Sequence, residues 1–412
     1  MNWRLLSRLD KAARAGRLGG VDFAVIIAPL VEKDFIDRYW DRAPVHIPAS
    51  PERRDAPPMG WNDLNALIAQ RTHWTPERFN LVLNSRPVDP AHYMADAIGK
   101  PAAGDPARIE HLLAMGASLV VNHVDDVLPR VRAIADTLAT RFAGLGGANV
   151  YASFNGVQAF ASHYDTHEVF AFQCAGEKRW RIYANRAESP LEAPQGDDAQ
   201  AWIDASKGPV LLDITTRPGD LLYIPRGFFH DAIATDTSSL HVTFGVAPHS
   251  GRILLELIEE AALTDPAFRA YLPDARVGNG VPLRERLAEL GQRLAEMAAS
   301  PVLADAVALR QRKLSQTAHS LSLPDRPTLR FFARTGRQAR IERDARGIAL
   351  HAAGHSQSLG LVADAAEWML ARAAFSREET YAQFAWHPRS ELDAIIDLFE
   401  RLGLIAPYQP QI

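Results

Sequence analysis

The sequence predicts an α+β protein in which an antiparallel β-barrel or double-sheet roll lies between helical segments. Between residues 149 and 247, short β-rich runs alternate with turn signals, as in antiparallel barrels and rolls. Before and after this stretch, apolar residues recur mainly at helical spacing. The 412 residues are enough for two or three domains with a sizeable core.

The composition excludes several classes of protein. A formal net charge of −4 argues against wholesale nucleic-acid binding, and no apolar run is long enough to span a membrane. The single cysteine, Cys174, permits neither an intramolecular disulfide nor a thiolate zinc site, so we expect a protein of the reducing cytoplasm. Residues 1–20 are basic but poor in serine, which favours a short basic surface helix over a transit peptide.

Residues 21–147 predict helices with short strands between them. Apolar residues follow helical spacing as far as Pro44, and alternation indicates a strand at Phe79–Leu83. The further elements expected here are a strand at Val45–Ile47, a helix at Trp61–Arg71, a strand at Ser118–Asn122 and a helix at Leu128–Phe142 that ends at the Gly144–Gly147 cluster.

Seven strands are predicted in the central region, at residues 149–154, 168–174, 178–183, 210–214, 221–224, 230–235 and 239–246. A polar segment from Asn185 to Gly208 interrupts them and predicts a long surface loop with a helical turn. A long loop inside a β-roll is more often functional than idle, for example as a lid.

The last third of the chain returns to helix. Residues 251–320 are helical in pattern, and three further helices are expected at Val362–Ala373, Ser376–Phe384 and Ser390–Leu402. Ser376 with Glu379 forms a capping-box signal, and Gly403 suits a helix C-terminus. The seven arginines from Arg326 to Arg346 are interpreted as a solvated strand face, with contact to ribosomal RNA or an acidic partner as the alternative.

A candidate metal site combines His163, Asp165 and His230. His163 and Asp165 are two residues apart, so on a strand both side chains project from one face, and His230 follows the Pro225–Gly227 turn. Two imidazoles and one carboxylate leave further coordination positions open, which suits non-haem Fe(II). His167 is a rival ligand, or a residue that lies behind the ligands or faces the substrate. The alternative is that these residues are unrelated.

The motifs around these residues resemble one family. Its members are the cupin-type JmjC oxygenases, and the nearest branch is the ribosomal oxygenases, which are 2-oxoglutarate-dependent protein hydroxylases. The resemblance extends over most of the chain and rests on His163–Asp165, Glu168–Phe170, Gln173, Gly176–Trp180, Pro218–Gly227 and His230. It implies a double-stranded β-helix (cupin, jelly-roll) catalytic domain with a helical N-terminal region at 1–250, a helical dimerisation region at 251–325 and a winged-helix-like domain at 326–412.

The resemblance also implies the cofactors. His163, Asp165 and His230 would bind Fe(II), 2-oxoglutarate would be the co-substrate together with O₂, and Lys178 would bind the distal carboxylate of 2-oxoglutarate. A lysine is a compact donor for a carboxylate in a pocket, which agrees with that role. Four further residues match positions that line the co-substrate pocket, namely Asn149, Tyr151, His241 and Thr243.

The predicted function is hydroxylation of a C–H bond in a protein or peptide side chain, such as that of a ribosomal protein, with release of succinate and CO₂. We expect a homodimer, no membrane association and no direct DNA binding, because eight acids oppose four arginines in residues 347–412. Three alternatives stay open: a metal-binding cupin of the isomerase or storage class, a non-catalytic interaction protein and an N-methyl-lysine demethylase. Thr166 and His167 depart from the family pattern, which leaves the substrate undefined.

Overall fold

In the computed structural model the chain divides into two compact units, Met1–Pro248 and His249–Ile412. The structure describes residues 21–70, 74–97, 100–154, 160–196, 198–314, 330–344 and 347–408. The predicted basic helix of residues 1–20 lies outside these ranges, as do Arg326 and Arg346. No helix within the described ranges combines the length and apolar character needed to cross a membrane.

The first unit contains a large antiparallel sheet, a small sheet of two strands (β4 and β5 below) and several helices. Its helices are α1 Phe23–Ile27, α2 Glu32–Arg38, α3 Pro51–Asp55, α4 Trp61–Ala69, α5 Pro106–Ala114, α6 Pro129–Phe142 and α7 Ala199–Ser206. Its strands are β1 Val45–Ile47, β2 Phe79–Leu83, β3 Arg86–Pro87, β4 Met94–Ala97, β5 Lys100–Gly104, β6 Ser118–Val121, β7 Gly144–Phe154, β8 Glu168–Arg186, β9 Val210–Thr216, β10 Leu221–Ile224 and β11 Phe228–Pro248. Short 3₁₀ turns lie at Pro90–His92 and Val124–Asp126.

The described part of the main sheet has the strand order β1-β10-β8-β11-β7-β6-β2-β3. Strand β9 pairs with the C-terminal half of β8. All of these pairs are antiparallel, which confirms the predicted α+β class with an antiparallel β core. Strand β10 is buried at every position, as expected for a strand covered on both faces. The long strands β8 and β11 form the centre of the sheet.

Two pairs of predicted strands are each one continuous strand. The predicted runs 168–174 and 178–183 join across Gly176 in β8, and the runs 230–235 and 239–246 join in β11. Gly176 has a φ of +63°, and the register of β11 on β8 shifts between Ala234 and Ser239. The turn signals in the sequence therefore mark a local irregularity in a paired strand rather than a chain reversal.

Other predicted boundaries can be compared directly. The strand Phe79–Leu83 is confirmed at both ends, and the helix from Trp61 ends at Ala69. The helix predicted at Leu128–Phe142 is confirmed as Pro129–Phe142 and ends ahead of the Gly144–Gly147 cluster. The strand predicted from residue 149 begins earlier than expected, because residues 144–147 already pair with residues 245–248 of β11. Partner strand hydrogen bonds stabilise a backbone that glycine alone would disfavour.

The N-terminal segment is joined to the sheet by an aromatic core and a buried arginine. Phe35 and Tyr223 are fully buried, and their ring centroids lie 4.8 Å apart. The guanidinium of Arg53 is also buried and donates hydrogen bonds to the carbonyl oxygens of Ile26 and Gly219. These hydrogen bonds provide acceptors for the buried guanidinium. They also hold the N-terminal segment beside the turn that precedes β10.

The second unit contains helices followed by small sheets. Its helices are α8 Arg252–Ala262, α9 Pro266–Arg269, α10 Val281–Ala298, α11 Pro301–Leu314, α12 Ala363–Ala371, α13 Arg377–Gln383 and α14 Arg389–Arg401, with 3₁₀ turns at Val277–Gly280 and Gly360–Val362. Its strands are β12 Phe331–Arg334, β13 Ala339–Asp344, β14 Gly347–Ala352, β15 His355–Ser358, β16 Ala374–Ser376 and β17 Ile405–Tyr408. The predicted capping box of Ser376 and Glu379 is confirmed at the start of α13.

Candidate metal centre and co-substrate cavity

The side chains of His163, Asp165 and His230 converge. One ligand atom from each lies within 4.8 Å of the others, and His230 Nε2 is 3.5 Å from Asp165 Oδ2. His230 is the third residue of β11, as expected for a ligand on a strand. His163 and Asp165 are placed differently from the expectation, because they lie in an irregular segment ahead of β8.

Backbone hydrogen bonds hold this irregular segment against β11. The amide of His163 donates to the carbonyl of His230 over 3.0 Å, and the amide of His230 donates back over 2.8 Å. The amide of Gly227 donates to the carbonyl of Asp165 at 2.9 Å. The turn before β11 therefore contributes a backbone contact to the motif as well as leading to His230.

Both imidazoles are oriented for metal binding. Nδ1 of His163 lies 2.9 Å from the carbonyl of Ala161, and Nδ1 of His230 lies 2.9 Å from that of Phe228. A carbonyl only accepts, so each Nδ1 carries the proton and each Nε2 keeps a free lone pair, the arrangement found in metal-binding histidines. Burial lowers the pKa of His230 to about 4, which keeps this ring neutral.

Asp165 completes the donor set as a carboxylate. Burial alone would raise its pKa, but the neighbouring His230 and His163 outweigh that effect and the pKa is lowered. Two imidazoles and one carboxylate are the donors that suit Fe(II) with open coordination positions. The residues present therefore fit the metal that the sequence predicts.

These three residues line a cavity of about 680 Å³ together with all five predicted co-substrate residues: Asn149, Tyr151, Lys178, His241 and Thr243. The strand register explains why. Asn149 lies directly opposite Thr243, and Tyr151 lies opposite His241, across the β7–β11 pair. Residues two apart on a strand share a face, so both cross-strand pairs face the same side of the sheet.

Lys178 is buried without a counter-ion. Its side chain is 4% exposed, and no carboxylate forms an ion pair with it within the described ranges. Its ammonium lies 5.7 Å from the centroid of the Trp180 ring, and burial lowers its pKa to about 7. A buried ammonium is costly unless it is paired, so the cavity presents a site that an anion would complete.

His241 lies beside Lys178 and is also buried. Its ring stacks on Tyr151, and Nδ1 has no hydrogen-bond partner among the described residues. Burial, aided by the charge of Lys178, lowers its pKa well below the usual range, so the ring is neutral. An enclosed N–H without an acceptor is more costly than an enclosed lone pair, and this places the proton of His241 on Nε2.

His167 and Glu168 do not complete a larger metal shell. His167 lines the cavity and its ring packs on Gly245, but it does not belong to the group of residues whose ligand atoms converge within 4.8 Å. The Glu168 carboxylate instead accepts from the Tyr223 hydroxyl and the Arg226 amide. The three-residue donor set therefore stands without either of them.

A scan against models of known families matches residues 121–254 to the JmjC domain. The matched range contains the three metal-ligand candidates and Lys178, together with the strands β8 and β11 that carry Lys178 and His230. Residues 121–254 form a JmjC domain. The resemblance seen in the sequence is confirmed at this level, and the JmjC domain includes β7 to β11.

Curated relatives match the JmjC domain and part of its flanks. The bifunctional lysine-specific demethylase and histidyl-hydroxylase NO66 of Drosophila persimilis is 31% identical over 231 residues, which cover 55% of this chain and 31% of the relative. Ribosomal oxygenase 1 of Gallus gallus is 30% identical over 276 residues, which cover 65% of this chain and 45% of the relative. The chain thus spans less than half the length of these two relatives.

Solved structures also align with the chain. The Escherichia coli ribosomal oxygenase YcfD is 19% identical, with a TM-score of 0.47, and the alignment covers 92% of this chain and 98% of YcfD. A second YcfD structure, in complex with cobalt and 2-oxoglutarate, is also 19% identical, with a TM-score of 0.48 and coverage of 92% and 99%.

Two residues of the JmjC domain were missed by the sequence reasoning. Trp180 lies within 6.2 Å of His230 and 5.5 Å of His241, measured between ring centroids, and it lines the cavity. It shares the strand face of Lys178, so the two-residue period of β8 was a usable signal. Asp231 is buried behind the ligands and follows His230 directly, and no sequence pattern distinguishes it from the acids on the surface.

Proposed function

We propose that the chain is an Fe(II)- and 2-oxoglutarate-dependent dioxygenase that hydroxylates a C–H bond of a protein or peptide side chain. The observation that carries the proposal is the combination, in one cavity, of a two-histidine, one-carboxylate donor set and the cation of Lys178, which has no acidic partner among the described residues. A metal site alone would suit many cupins. A buried cation in the same cavity adds a reason for an anionic co-substrate to bind there.

Each group of residues in the cavity would have a separate role. His163, Asp165 and His230 would hold Fe(II), which when bound supplies the activation of O₂. Lys178 would neutralise the distal carboxylate of 2-oxoglutarate, His241 would donate a hydrogen bond to it, and the rings of Tyr151 and Trp180 would exclude water. Overall, the substrate C–H, 2-oxoglutarate and O₂ give the C–OH product, succinate and CO₂. The protein contributes orientation and a dry site.

The substrate class rests on the relatives. Their names include ribosomal oxygenase and histidyl-hydroxylase, which support a protein side chain, and a ribosomal protein in particular, as the target. The test is to incubate the purified protein with Fe(II), 2-oxoglutarate and ribosomal proteins and to follow succinate and the mass of each protein. We expect succinate together with a gain of one oxygen atom on one protein. Fe(II) binding without succinate formation, whichever protein or peptide is offered, would contradict the proposal.

A second candidate is removal of a methyl group from N-methyl-lysine, because one relative is named a lysine-specific demethylase as well as a hydroxylase. The same cavity would serve, and release of formaldehyde from a methylated peptide would distinguish it. The isomerase or storage class of cupin has less support, since the Glu168 carboxylate accepts from Tyr223 and His167 does not belong to the converging donor group. A complete donor set likewise gives no support to a non-catalytic role.

We also propose that residues 251–325 mediate a homodimer. Large apolar side chains are exposed on this region, among them Leu255, Leu263, Tyr271 and Leu287. Exposed apolar surface of this kind is typical of protein interfaces. Light scattering on the purified chain should give twice the monomer mass. The cytoplasmic location stays a prediction.

For residues 326–412 we propose a winged-helix-like domain with a structural or protein-binding role and no direct DNA binding. Arginines that would contact phosphate are already engaged within the domain. Arg377 pairs with Asp393 and Asp397, and Arg343 pairs with Glu367. In the basic run, Arg337 donates to the carbonyl of Leu402. Absence of a mobility shift with duplex DNA at low salt is the expected result.

A further inference from the structure

The segment that carries His163 and Asp165 lacks a strand of its own, so its position depends on what packs behind it. On one side, β11 supplies the backbone bonds between His163 and His230. On the other side lies the long insertion between β8 and β9, which contains α7 and was expected to act as a lid. The contacts of this insertion converge on the residue just before His163.

That residue is Ser162, and three side chains bond to it. Its hydroxyl donates to Asp231 Oδ2 at 2.8 Å and accepts from Lys207 Nζ at 3.0 Å. Its carbonyl accepts from Gln200 Nε2 at 3.3 Å. Gln200 lies in α7 and Lys207 directly follows it, while Asp231 directly follows His230. Ser162 therefore links the insertion to both chain segments that carry candidate metal ligands.

Asp231 is the centre of this network. Its side chain is 3% exposed, and besides Ser162 it accepts from the Tyr183 hydroxyl at 2.6 Å and from Arg181 Nε at 2.8 Å. Charge-assisted bonds to a buried carboxylate are among the stronger polar contacts in proteins. Since Asp231 and Ser162 neighbour His230 and His163, their hydrogen bond holds the two ligand-bearing segments at a set distance.

An apolar cluster supports the same arrangement. Ile203 of α7 packs with Tyr164, Tyr183 and Phe229, all of them buried. Tyr164 lies between His163 and Asp165 in the chain, and Phe229 directly precedes His230. The Tyr164 hydroxyl also donates to the carbonyl of Glu192 in the insertion, at 3.1 Å. Polar and apolar contacts of the insertion thus reach the neighbours of all three candidate ligands.

We propose that α7 with Lys207 is a brace for the metal centre, and that Asp231 and Lys207 are positioning residues for His163. This inference rests on the proposed metal site and assigns the insertion a role different from that of a lid. Groups behind the ligands commonly set metal affinity, with losses of about ten- to a hundredfold when they are removed.

The test measures Co(II) binding by the purified apoprotein, with affinity from titration and ligand geometry from the visible absorption of Co(II). We expect Asp231→Asn to weaken Co(II) binding by about tenfold or more and to change the spectrum. Lys207→Met should weaken binding severalfold, while Lys207→Arg, which keeps a donor, should retain most of it. Asp213→Asn is the matched control, because Asp213 of β9 forms a similar but exposed pair with Arg179 of β8.

Each outcome decides a different point. Wild-type Co(II) affinity and spectrum in both Asp231→Asn and Lys207→Met would overturn the brace and leave the proposed function intact. Failure of the unmodified protein to bind Co(II) would overturn the proposed function and the brace with it. If Asp231→Asn does not fold, as judged by near-ultraviolet circular dichroism, the comparison of Lys207→Met with Lys207→Arg decides the question.

Discussion

Tyr151 and His241 lie directly opposite each other on β7 and β11, with their rings stacked at 4.8 Å and an interplanar angle of 11°. The stack encloses Nδ1 of His241, which has no hydrogen-bond partner within the described ranges. The imidazole proton is therefore assigned to Nε2. The pair joins two predicted co-substrate residues into one wall of the cavity, beside Lys178.

His241→Phe tests this wall. Phenylalanine keeps a ring against Tyr151 but removes the N–H, so we expect the affinity for 2-oxoglutarate to fall by about ten- to a hundredfold, the cost of one hydrogen bond to a charged group. Calorimetry on the Co(II)-loaded protein would measure it, and Co(II) affinity itself should be unchanged. His92→Phe, at an exposed histidine away from this cavity, is the control. Unaltered 2-oxoglutarate affinity in His241→Phe would remove His241 from the binding site.

A pH dependence follows from Lys178. Only the protonated lysine attracts a carboxylate, and burial brings its pKa from 10.5 to about 7 in the ligand-free protein. Above pH 7 the free protein loses this proton, and an anion must restore it in order to bind. The affinity for 2-oxoglutarate should therefore be nearly constant below pH 7 and fall by up to about tenfold per pH unit above it. Calorimetry between pH 6 and about pH 9 measures this slope.

Lys178→Arg is the matched variant for the pH dependence. Arginine stays protonated throughout this range, so its slope should be flat even if its absolute affinity is lower. An equal slope in both proteins would mean that another group, such as a metal ligand, is responsible.

The residues of the site were predictable because the chemistry lies in short, local motifs. His163 and Asp165 were found from spacing and residue type, Lys178 came from the resemblance of its motif to the family, and the alternation of Asn149 with Tyr151 placed both on one face. The positions across from them were less accessible, because the pairing of Tyr151 with His241 depends on strand register, which forms only when distant segments meet. The brace around Ser162 combines four separate segments, and no local pattern encodes it.

The same contrast between local sequence patterns and contacts from distant segments applies to the fold. The strand Phe79–Leu83 alternates cleanly and is confirmed, whereas Gly176 was read as a break and the Gly144–Gly147 cluster as the end of a helix, and both lie inside strands. Glycine weakens a strand by itself, but hydrogen bonds from β11 on these segments outweigh that local preference. The irregular placement of the His163 segment was missed because H-x-D spacing specifies side chains that can meet, which a strand allows but does not require.

Lys178→Met should separate stability from function. At pH 8 the unfolded chain carries a protonated lysine, while the folded protein holds it largely neutral and without an acidic partner among the described residues. Loss of this proton on folding therefore costs free energy, and a methionine of similar length removes that cost. We expect the free energy of unfolding, measured with urea on the apoprotein, to rise by about 1–2 kcal/mol, with loss of 2-oxoglutarate binding. A less stable Lys178→Met protein would show that Lys178 has an internal partner instead.

Gly176→Ala should destabilise the sheet that carries the site. Gly176 has a φ of +63°, and a Cβ there would lie 1.8 Å from the carbonyl oxygen of Ser238 on β11. Backbone atoms on both sides would have to separate just where β8 and β11 change register, so we expect a loss of at least about 3 kcal/mol in the free energy of unfolding. Gly147→Ala is the control, since no heavy atom lies within 4 Å of its added Cβ. Urea unfolding of both variants measures the difference, and equal stabilities would show that the strands can part at Gly176 without cost.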